Sequence, residues 1–407
     1  MSYYTLSIHA IGHDGSGSLF KDDKLILFCG GERHTRIKSG KTISEKFLKC
    51  IEKETSTIDL LILYCDNDDI LSKILGMFTC KKIITKESSK QLKYTARKLE
   101  LYNEKNNFSH HDAHAMSAFY ISPFRNAIAL IVDGFGDHFY LNNNESHSAI
   151  IAAETTSIIE IDEKYQRKLQ YKRLQYIPAK KHQDGIFAGM CAHAFDGGLT
   201  NVIEKSKNLN FKCDLTTHLD IGNMYHTIAK HLNFGFTGSG KVMGLSAYGN
   251  PVNSLPPFLV DDTIYSNANL FSHDILIDVS IYPNLHDELS FQDKADMAYE
   301  VQRSLEKIFL KHAEFIKQNS KIKNLLIGGG CALNILGASI IKEKYPEFNI
   351  FVDPIANDAS QSIGMGLFFI KRFYHDSLEK KETPNNIYWG PEYDLTEISK
   401  KIDQFLN

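Results

Sequence analysis

Apolar residues in this chain fall into short blocks whose spacing alternates between that of strands and that of helices. Tyr3–His9 and Lys24–Cys29 read as two strands. The small and polar turn Gly12–Gly17 joins them, and such a turn lets backbone N–H groups come close to an anion. Ile58–Tyr64 is a further apolar block. The pattern next predicts a helix over Ala113–Tyr120, a turn at Ser122–Phe124, and an apolar run from Ala127 to Val132 that ends in Asp133 and the glycine-rich Gly134–Asp137. A run of that length, bounded by Pro and Gly, suits a strand covered on both faces.

Further along, Ile221, Met224, Tyr225, Ile228 and Leu232 recur with helical period, and Ala295, Ala298, Val301, Leu305, Ile308 and Phe309 mark a long amphipathic helix over 292–316. A strand at Asn324–Ile327, a glycine turn at Gly328–Asn334 and a helix at Ile335–Lys344 follow. Then come a strand at Phe348–Asp353, an acidic turn at Asn357 and Asp358, and a helix of small residues through Gly366. Asp358 suits the N-cap of that helix. Residues 141–218 are less regular and richer in Lys, Gln and Thr, and read as an insertion with a helical portion at Gly185–Phe195. A short amphipathic stretch, Leu395–Phe405, closes the pattern. Strands interleaved with helices place the chain in the α/β class.

At 407 residues the chain exceeds one usual hydrophobic core, so two lobes are expected. A net charge of −3 gives no general attraction to nucleic acid or to an anionic membrane, though it leaves room for a local basic cleft, and the Lys-rich stretch Lys164–Lys181 reads as a solvated face or an insertion rather than a binding patch. Seven dispersed cysteines without a C-x-x-C pair argue against a zinc knuckle and against a disulfide framework. The sequence shows no charged-then-apolar leader at Met1 and no apolar run of membrane-spanning length. The expectation is a reduced, cytoplasmic protein.

Two patterns carry candidate chemistry. His110 and His114 stand four apart, which on a helix puts their Cβ atoms on one face roughly 5–6 Å apart. That spacing also fits an ordinary helix face, but a carboxylate at the nearby strand end, Asp133, would complete a cation site. The strand, glycine turn and helix over 324–344 form a common phosphate cradle, because a helix N-terminus offers unpaired N–H donors. Gly235–Val242 nearly satisfies the phosphate-loop pattern, but Val242 stands where a hydroxyl would hold magnesium, and a helical segment precedes it in place of a strand. A P-loop nucleotidase is therefore rejected. The glycines with Lys241 remain either an anion loop or a plain structural turn.

Seven blocks, in order, resemble the amino-terminal, Kae1-like domain of the NodU/CmcH/TobZ-type O-carbamoyltransferases. They are Ile11–Ser16, Glu32–Lys38, His110–Ala115, Asp133–Gly136, Gly240–Leu245, Gly328–Asn334 and Asn357–Asp358. That domain is similar in turn to the actin, sugar-kinase and Hsp70 ATPase fold.

The resemblance implies a duplicated α/β fold with a central cleft. Lobe I would cover approximately 1–130 plus a carboxy-terminal helix and lobe II approximately 131–370, with a tail at 371–407. It implies a metal held by His110, His114, Asp133 and Asp358, iron in the family, with manganese or zinc also compatible with these ligand types. The metal would touch the phosphate of an ATP-derived carbamoyl-adenylate. Gly136, Gly240, Lys241, Gly244, Gly328, Gly329, Gly330 and Asn334 would wrap the adenylate. His13 would act as base toward the acceptor hydroxyl of a small molecule, and Lys38 would offset negative charge.

Relatives of this kind continue past Tyr388–Tyr393 into a YrdC-like domain that makes carbamoyl-adenylate. Its arginine-rich signature is absent from this sequence, which is compatible with a separate YrdC-like subunit, the expected partner, with an excised domain, or with lost catalysis. Relatives of this fold commonly pair, which leaves a homodimer possible. Two other readings stay open: a catalytically incomplete nucleotide-binding or regulatory subunit, and a sugar-kinase or Hsp70-like ATPase.

Overall fold

The computed structural model describes residues 2–65, 68–87, 97–98, 108–140, 151–176, 211–216, 220–235, 237–251, 289–374, 380, 383–384, 386–390 and 394–406. The chain divides into two compact units. Unit 1 is Met1–Glu87, Met365–Asp376 and Pro384–Asn407; unit 2 is Ser88–Gly364 and Ser377–Thr383.

In chain order, unit 1 begins with β1 Tyr4–Ala10, β2 Ser16–Lys21, β3 Lys24–Gly30, α1 Glu32–Thr35, α2 Glu45–Glu54, β4 Thr57–Cys65, α3 Asp68–Met77 and β5 Thr79–Glu87. Unit 2 supplies β6 Arg97–Lys98, α4 His110–Ile121, β7 Asn126–Val132, β8 His138–Tyr140, β9 Ile151–Asp162, β10 Arg167–Tyr176 and β11 Lys212–Thr216. It continues with α5 Ile221–His231, α6 Ser239–Ser246, α7 Phe291–Asn319, β12 Asn324–Gly328, α8 Ile335–Lys344 and β13 Asn349–Val352. Last come α9 Gln361–Phe373, which belongs to unit 1 from Met365 onward, and α10 Leu395–Leu406.

The two sheets repeat one plan. In unit 1 the order is β3-β2-β1-β4-β5, with the first three strands antiparallel and β4 and β5 parallel to β1. In unit 2 the path β10-β9-β7-β12-β13 follows the same order and the same directions, with β11 added beside β10 and the short β6 and β8 at the side. This is the duplicated α/β fold of the actin, sugar-kinase and Hsp70 type that the sequence blocks imply. The equivalent central strands are β1 and β7. The first is followed by the His13 turn and the second by the Asp133 turn, so each unit exposes its candidate chemistry at the same topological place.

Each unit has its own core. In unit 1, α2 is fixed at its start by Ser44, whose Oγ accepts the Phe47 N–H at 3.4 Å, and it buries Phe47, Leu48 and Ile51 against Leu6, Ile8, Leu19 and Leu61 of the sheet. The outer edge of β3 is partly covered, since the Phe28 N–H donates to the Trp389 carbonyl at 2.9 Å, which blunts an edge that could pair with another chain. In unit 2, β7 is buried from Ala127 to Val132, and α7 lays Ala298, Val301, Leu305, Ile308 and Phe309 into the same core. Burial of that many large apolar side chains supplies most of the drive to fold, at about 1.5–3 kcal/mol per side chain.

Within 141–218, residues 151–176 and 211–216 are described and form β9, β10 and β11, strands of the main sheet. The helical portion expected at Gly185–Phe195 lies outside the described residues. Among the described residues no helix is long and apolar enough to cross a membrane.

Candidate metal centre

α4 starts at His110 because Ser109 caps it. The Ser109 Oγ accepts the Asp112 N–H at 3.3 Å, and the Asp112 carboxylate accepts the Ser109 N–H at 2.8 Å, a reciprocal box that satisfies two end donors. Asp112 is also paired with Arg167 at 2.6 Å, which ties the cap to β10. His110 and His114 therefore leave the first turn and the next on one face. Their Nε2 atoms stand 3.1 Å apart.

Two carboxylates meet them. Asp133 follows β7, and its Oδ2 lies 3.4 Å from His110 Nε2 and 3.3 Å from His114 Nε2. Asp358 opens the 3-10 turn before α9, with Oδ1 at 3.3 Å and 3.5 Å from the same two atoms. Asn357, not Asp358, occupies the cap position of that turn, so Asp358 keeps its carboxylate for the cluster. One ligand atom from each of the four residues lies within 4.8 Å of the other three. All four residues belong to unit 2.

The donor set fits a divalent cation. Ligand atoms ~2.0–2.2 Å from one ion stand ~3.0–3.5 Å from each other in octahedral or tetrahedral geometry, and the imidazole–imidazole and imidazole–carboxylate separations of 3.1–3.5 Å match that range. Asp133 Oδ2 is buried and faces the two imidazole Nε2 atoms at 3.3–3.4 Å, while Oδ1 accepts the Gly134 N–H at 2.7 Å. A buried carboxylate oxygen is costly unless something positive faces it. Burial would lower the pKa of His110, but the Asp358 and Asp133 carboxylates outweigh it and hold the imidazole well above its usual range. The same balance raises His114. Burial would raise Asp133, and the two imidazoles hold it well below the carboxylate range instead. Without an ion the cluster answers its negative charge with protons; with one, the imidazoles can serve as neutral ligands.

The surroundings orient the ligands. His114 Nδ1 is 2.9 Å from Ser360 Oγ, which leaves Nε2 for the centre, and Gln361 donates to the His110 carbonyl at 3.1 Å. The Asp133 turn is held from α5: Asn223 Nδ2 donates to the Gly134 carbonyl at 2.7 Å, and a Cβ on Gly222 would come 2.5 Å from the Asp133 carbonyl oxygen, so only glycine permits this approach. Gly329 has φ +81°, a left-handed conformation that side chains resist, and it carries the chain past Val132.

The remaining candidates divide between the units. In unit 1, the Asp14 N–H donates to Ser39 O at 3.3 Å and the Gly15 N–H to Gly40 O at 2.8 Å, so the His13 turn lies along the loop that carries Lys38. His13 Nδ1 is 2.9 Å from Asp14 Oδ2, and Lys38 is exposed. In unit 2, Gly240 and Gly244 lie on α6 with open space at their Cβ positions, and Lys241 is exposed, its Nζ 5.8 Å from the Phe234 ring centre. Gly328 ends β12, and a Cβ on Gly330 would stand 3.0 Å from Asp133 Oδ1. Asn334 caps α8 by accepting the Gly337 N–H at 3.1 Å and donates to Gln302 Oε1 at 2.7 Å. Gly136 lies against Glu154, whose Cγ would be 2.6 Å from an added Cβ. Ser360, Gly222, Asn223 and Glu154 carry no motif, and the sequence offered no signal for them beyond their neighbours.

A family profile described as Carbamoyltransferase N-terminus matches residues 5–367, and the chain belongs to that family. The uncharacterized protein MJ1051 of Methanocaldococcus jannaschii is 23% identical over 97% of this chain and 62% of its own length. Nodulation protein NolNO of Sinorhizobium fredii is 22% identical over 93% of this chain and 49% of its own. The chain thus spans roughly half the length of the curated relatives it matches. Among solved structures, full-length HypF in a phosphate- and nucleotide-bound form aligns with 91% of this chain and 56% of its own at 10% identity and a TM-score of 0.46.

Proposed function

We propose that this chain performs the transfer half of a metal-dependent O-carbamoylation, moving a carbamoyl group from carbamoyl-adenylate to a hydroxyl of a small molecule. The observation that carries this reading is the convergence of His110, His114, Asp133 and Asp358 within one unit of a carbamoyltransferase-family chain. A divalent ion held there, with iron favoured, would supply positive charge for the phosphate of the donor.

The chain's own residues take the other roles. His13 accepts the acceptor's O–H proton at Nε2, with Nδ1 fixed by Asp14. The acceptor oxygen bonds to the carbamoyl carbon. The bond from that carbon to the phosphate oxygen breaks with its electron pair going to the phosphate, so the products are a carbamate ester and AMP. Lys38 offsets charge on the donor. Gly136, Gly240, Lys241, Gly244, Gly328, Gly329, Gly330 and Asn334 are the proposed adenylate contacts. The donor comes from a separate YrdC-like protein.

The deciding experiment supplies metal-loaded protein with preformed carbamoyl-adenylate and a panel of hydroxyl compounds, and follows carbamate ester formation and AMP release. Ester formation that disappears in His110→Ala is expected. Nucleotide binding without transfer would favour a regulatory subunit, and Mg²⁺-dependent ATP hydrolysis indifferent to both histidines would favour an ATPase.

A further inference from the structure

We infer that Glu154 is a positioning residue for the metal centre, setting the distance between the histidine helix and the Asp133 turn through a single carboxylate oxygen. The inference rests on the metal reading above. Glu154 lies on β9, outside every motif, and its side chain is fully buried. Its Oε1 accepts two backbone donors at once: the N–H of His111 at 3.1 Å and the N–H of Asp137 at 3.2 Å. The first lies between the two imidazole ligands in sequence. The second ends the turn that begins at Asp133. The other oxygen, Oε2, is paired with the buried Lys172 on β10.

The neighbourhood is built around this carboxylate. Gly136 has no room for a Cβ because Glu154 Cγ and Oε1 would lie 2.6 Å and 2.7 Å from it. The chain is pinned to β9 on both sides of the bond, by the Gly136 N–H to the Glu154 carbonyl at 2.8 Å and by the Glu154 N–H to the Asp137 carbonyl at 3.0 Å. His111 Nδ1 reaches Ser157 Oγ, three residues along the same strand, at 2.8 Å. A buried ion pair is seldom worth its desolvation for stability alone. Here the pair also fixes which oxygen faces the two N–H groups, because Lys172 holds the other.

This geometry distinguishes an acceptor oxygen from mere bulk or charge. In Glu154→Gln, one end of the amide must present an NH₂ group either to Lys172 or to the two backbone donors, so one set of contacts fails. Glu154→Gln/Lys172→Met removes that conflict and lets the amide oxygen accept both N–H groups. Glu154→Met/Lys172→Met has the same charge and similar volume but no acceptor.

The experiment is a Co²⁺ titration of the full chain, read by visible absorption and by metal content after gel filtration. Glu154→Gln/Lys172→Met should bind within about threefold of the unaltered protein. Glu154→Gln and Glu154→Met/Lys172→Met should bind about 10–100-fold more weakly, the usual consequence of losing a group that orients metal ligands. A core variant of equal thermal loss, such as Ile308→Val or a larger truncation there, should retain affinity. Equal affinity in the two double variants would overturn the inference. Should those variants not fold, hydrogen exchange of the unaltered protein decides: the His111 and Asp137 amides should be protected together and slowed together by Co²⁺, and independent exchange would refute the shared acceptor. Failure of the unaltered protein to bind Co²⁺, Fe²⁺, Mn²⁺ or Zn²⁺ would overturn the metal reading itself.

Discussion

His110 Nε2 and His114 Nε2 face each other at 3.1 Å, both within 3.5 Å of oxygens from Asp133 and Asp358. Two neutral imidazoles cannot both present lone pairs at that distance without a proton or cation between them. The four side chains come from α4, the end of β7 and a 3-10 turn more than two hundred residues further along the chain, and α4 packs against both of the other two elements.

Ligand removal should therefore show in stability as well as in metal content. A cation bound at 100 times its dissociation constant stabilises the folded state by about 2.7 kcal/mol. Addition of Co²⁺ or Zn²⁺ should raise the thermal midpoint of the unaltered protein by several degrees, and His114→Ala should abolish that rise. Persistence of the full shift in His114→Ala would place the bound ion elsewhere.

Ser360→Ala tests the orientation of His114. The hydroxyl is 2.9 Å from Nδ1 and fully buried, so its loss frees the ring tautomer without touching a ligand. Metal affinity should fall about 10–100-fold, with a stability cost of only about 1 kcal/mol. Isothermal titration beside chemical denaturation separates the two numbers, and an unchanged affinity would remove Ser360 from the site.

Gly222→Ala should injure both fold and site. The new methyl would stand 2.5 Å from the Asp133 carbonyl oxygen and 2.8 Å from the Gly134 N, so α5 or the turn must move. Overpacking of this kind costs about 1–3 kcal/mol. Denaturant midpoints should drop accordingly, and metal uptake should drop with them because Asp133 is displaced. Loss of stability with full metal affinity would show that α5 yields and the turn does not.

His312 gives a pH prediction away from the metal. It is buried on α7 beside Tyr171, and burial pushes its pKa down to about 4. Asp220 and Asp214 favour its charged form, Arg173 and Lys311 oppose it, and burial prevails. The unfolded chain, titrating near 6.5, binds this proton more readily than the folded one. Stability from this group is thus complete above pH ~6.5 and declines as pH falls toward 4, by about 3 kcal/mol in all. His312→Leu should lose less stability than the unaltered protein between pH 7 and 4.5, measured by urea denaturation at each pH. Parallel curves would show that His312 is not the titrating group.

Much of this was legible in the sequence, for a physical reason. β7, α7, β12 and α8 announce themselves because their partners are apolar and near in pattern, so period alone reports them. The His110 and His114 pair, the Asp133 turn and Asp358 stand in blocks that resemble a known family. β9 and β10 were illegible. Glu154, Thr155, Thr156 and Ser157 are four consecutive polar residues, all fully buried, and Lys172 and Arg173 on β10 are buried as well. Their partners, such as Asp220 for Thr155 and Arg173, lie far along the chain. Hydropathy reads such residues as solvated, which is why the region reads as an insertion while its described part supplies β9, β10 and the edge strand β11 of the sheet. Glu154 was invisible for the same reason.

The His13 turn belongs to unit 1 and all four candidate metal ligands to unit 2, so their contributions can be separated. Asp14 holds His13 Nδ1 at 2.9 Å from a φ of +52°, a backbone conformation rare for a residue other than glycine and common where a side chain must be aimed. A carboxylate can only accept there, so the imidazole proton sits on Nδ1 and the basic lone pair on Nε2. In Asp14→Asn the amide can donate to Nδ1 instead, which moves the proton to Nε2 and spoils it as a base. Transfer from preformed carbamoyl-adenylate should fall by roughly 10²–10⁴-fold in kcat for His13→Ala and Asp14→Asn. Co²⁺ affinity should stay unchanged in both, because all four candidate ligands belong to the other unit. Rapid-quench measurement of AMP release with parallel metal titration provides the comparison. Full turnover in Asp14→Asn would exclude the adjacent pair from proton transfer, whereas loss of metal in either variant would tie the His13 turn to the ion.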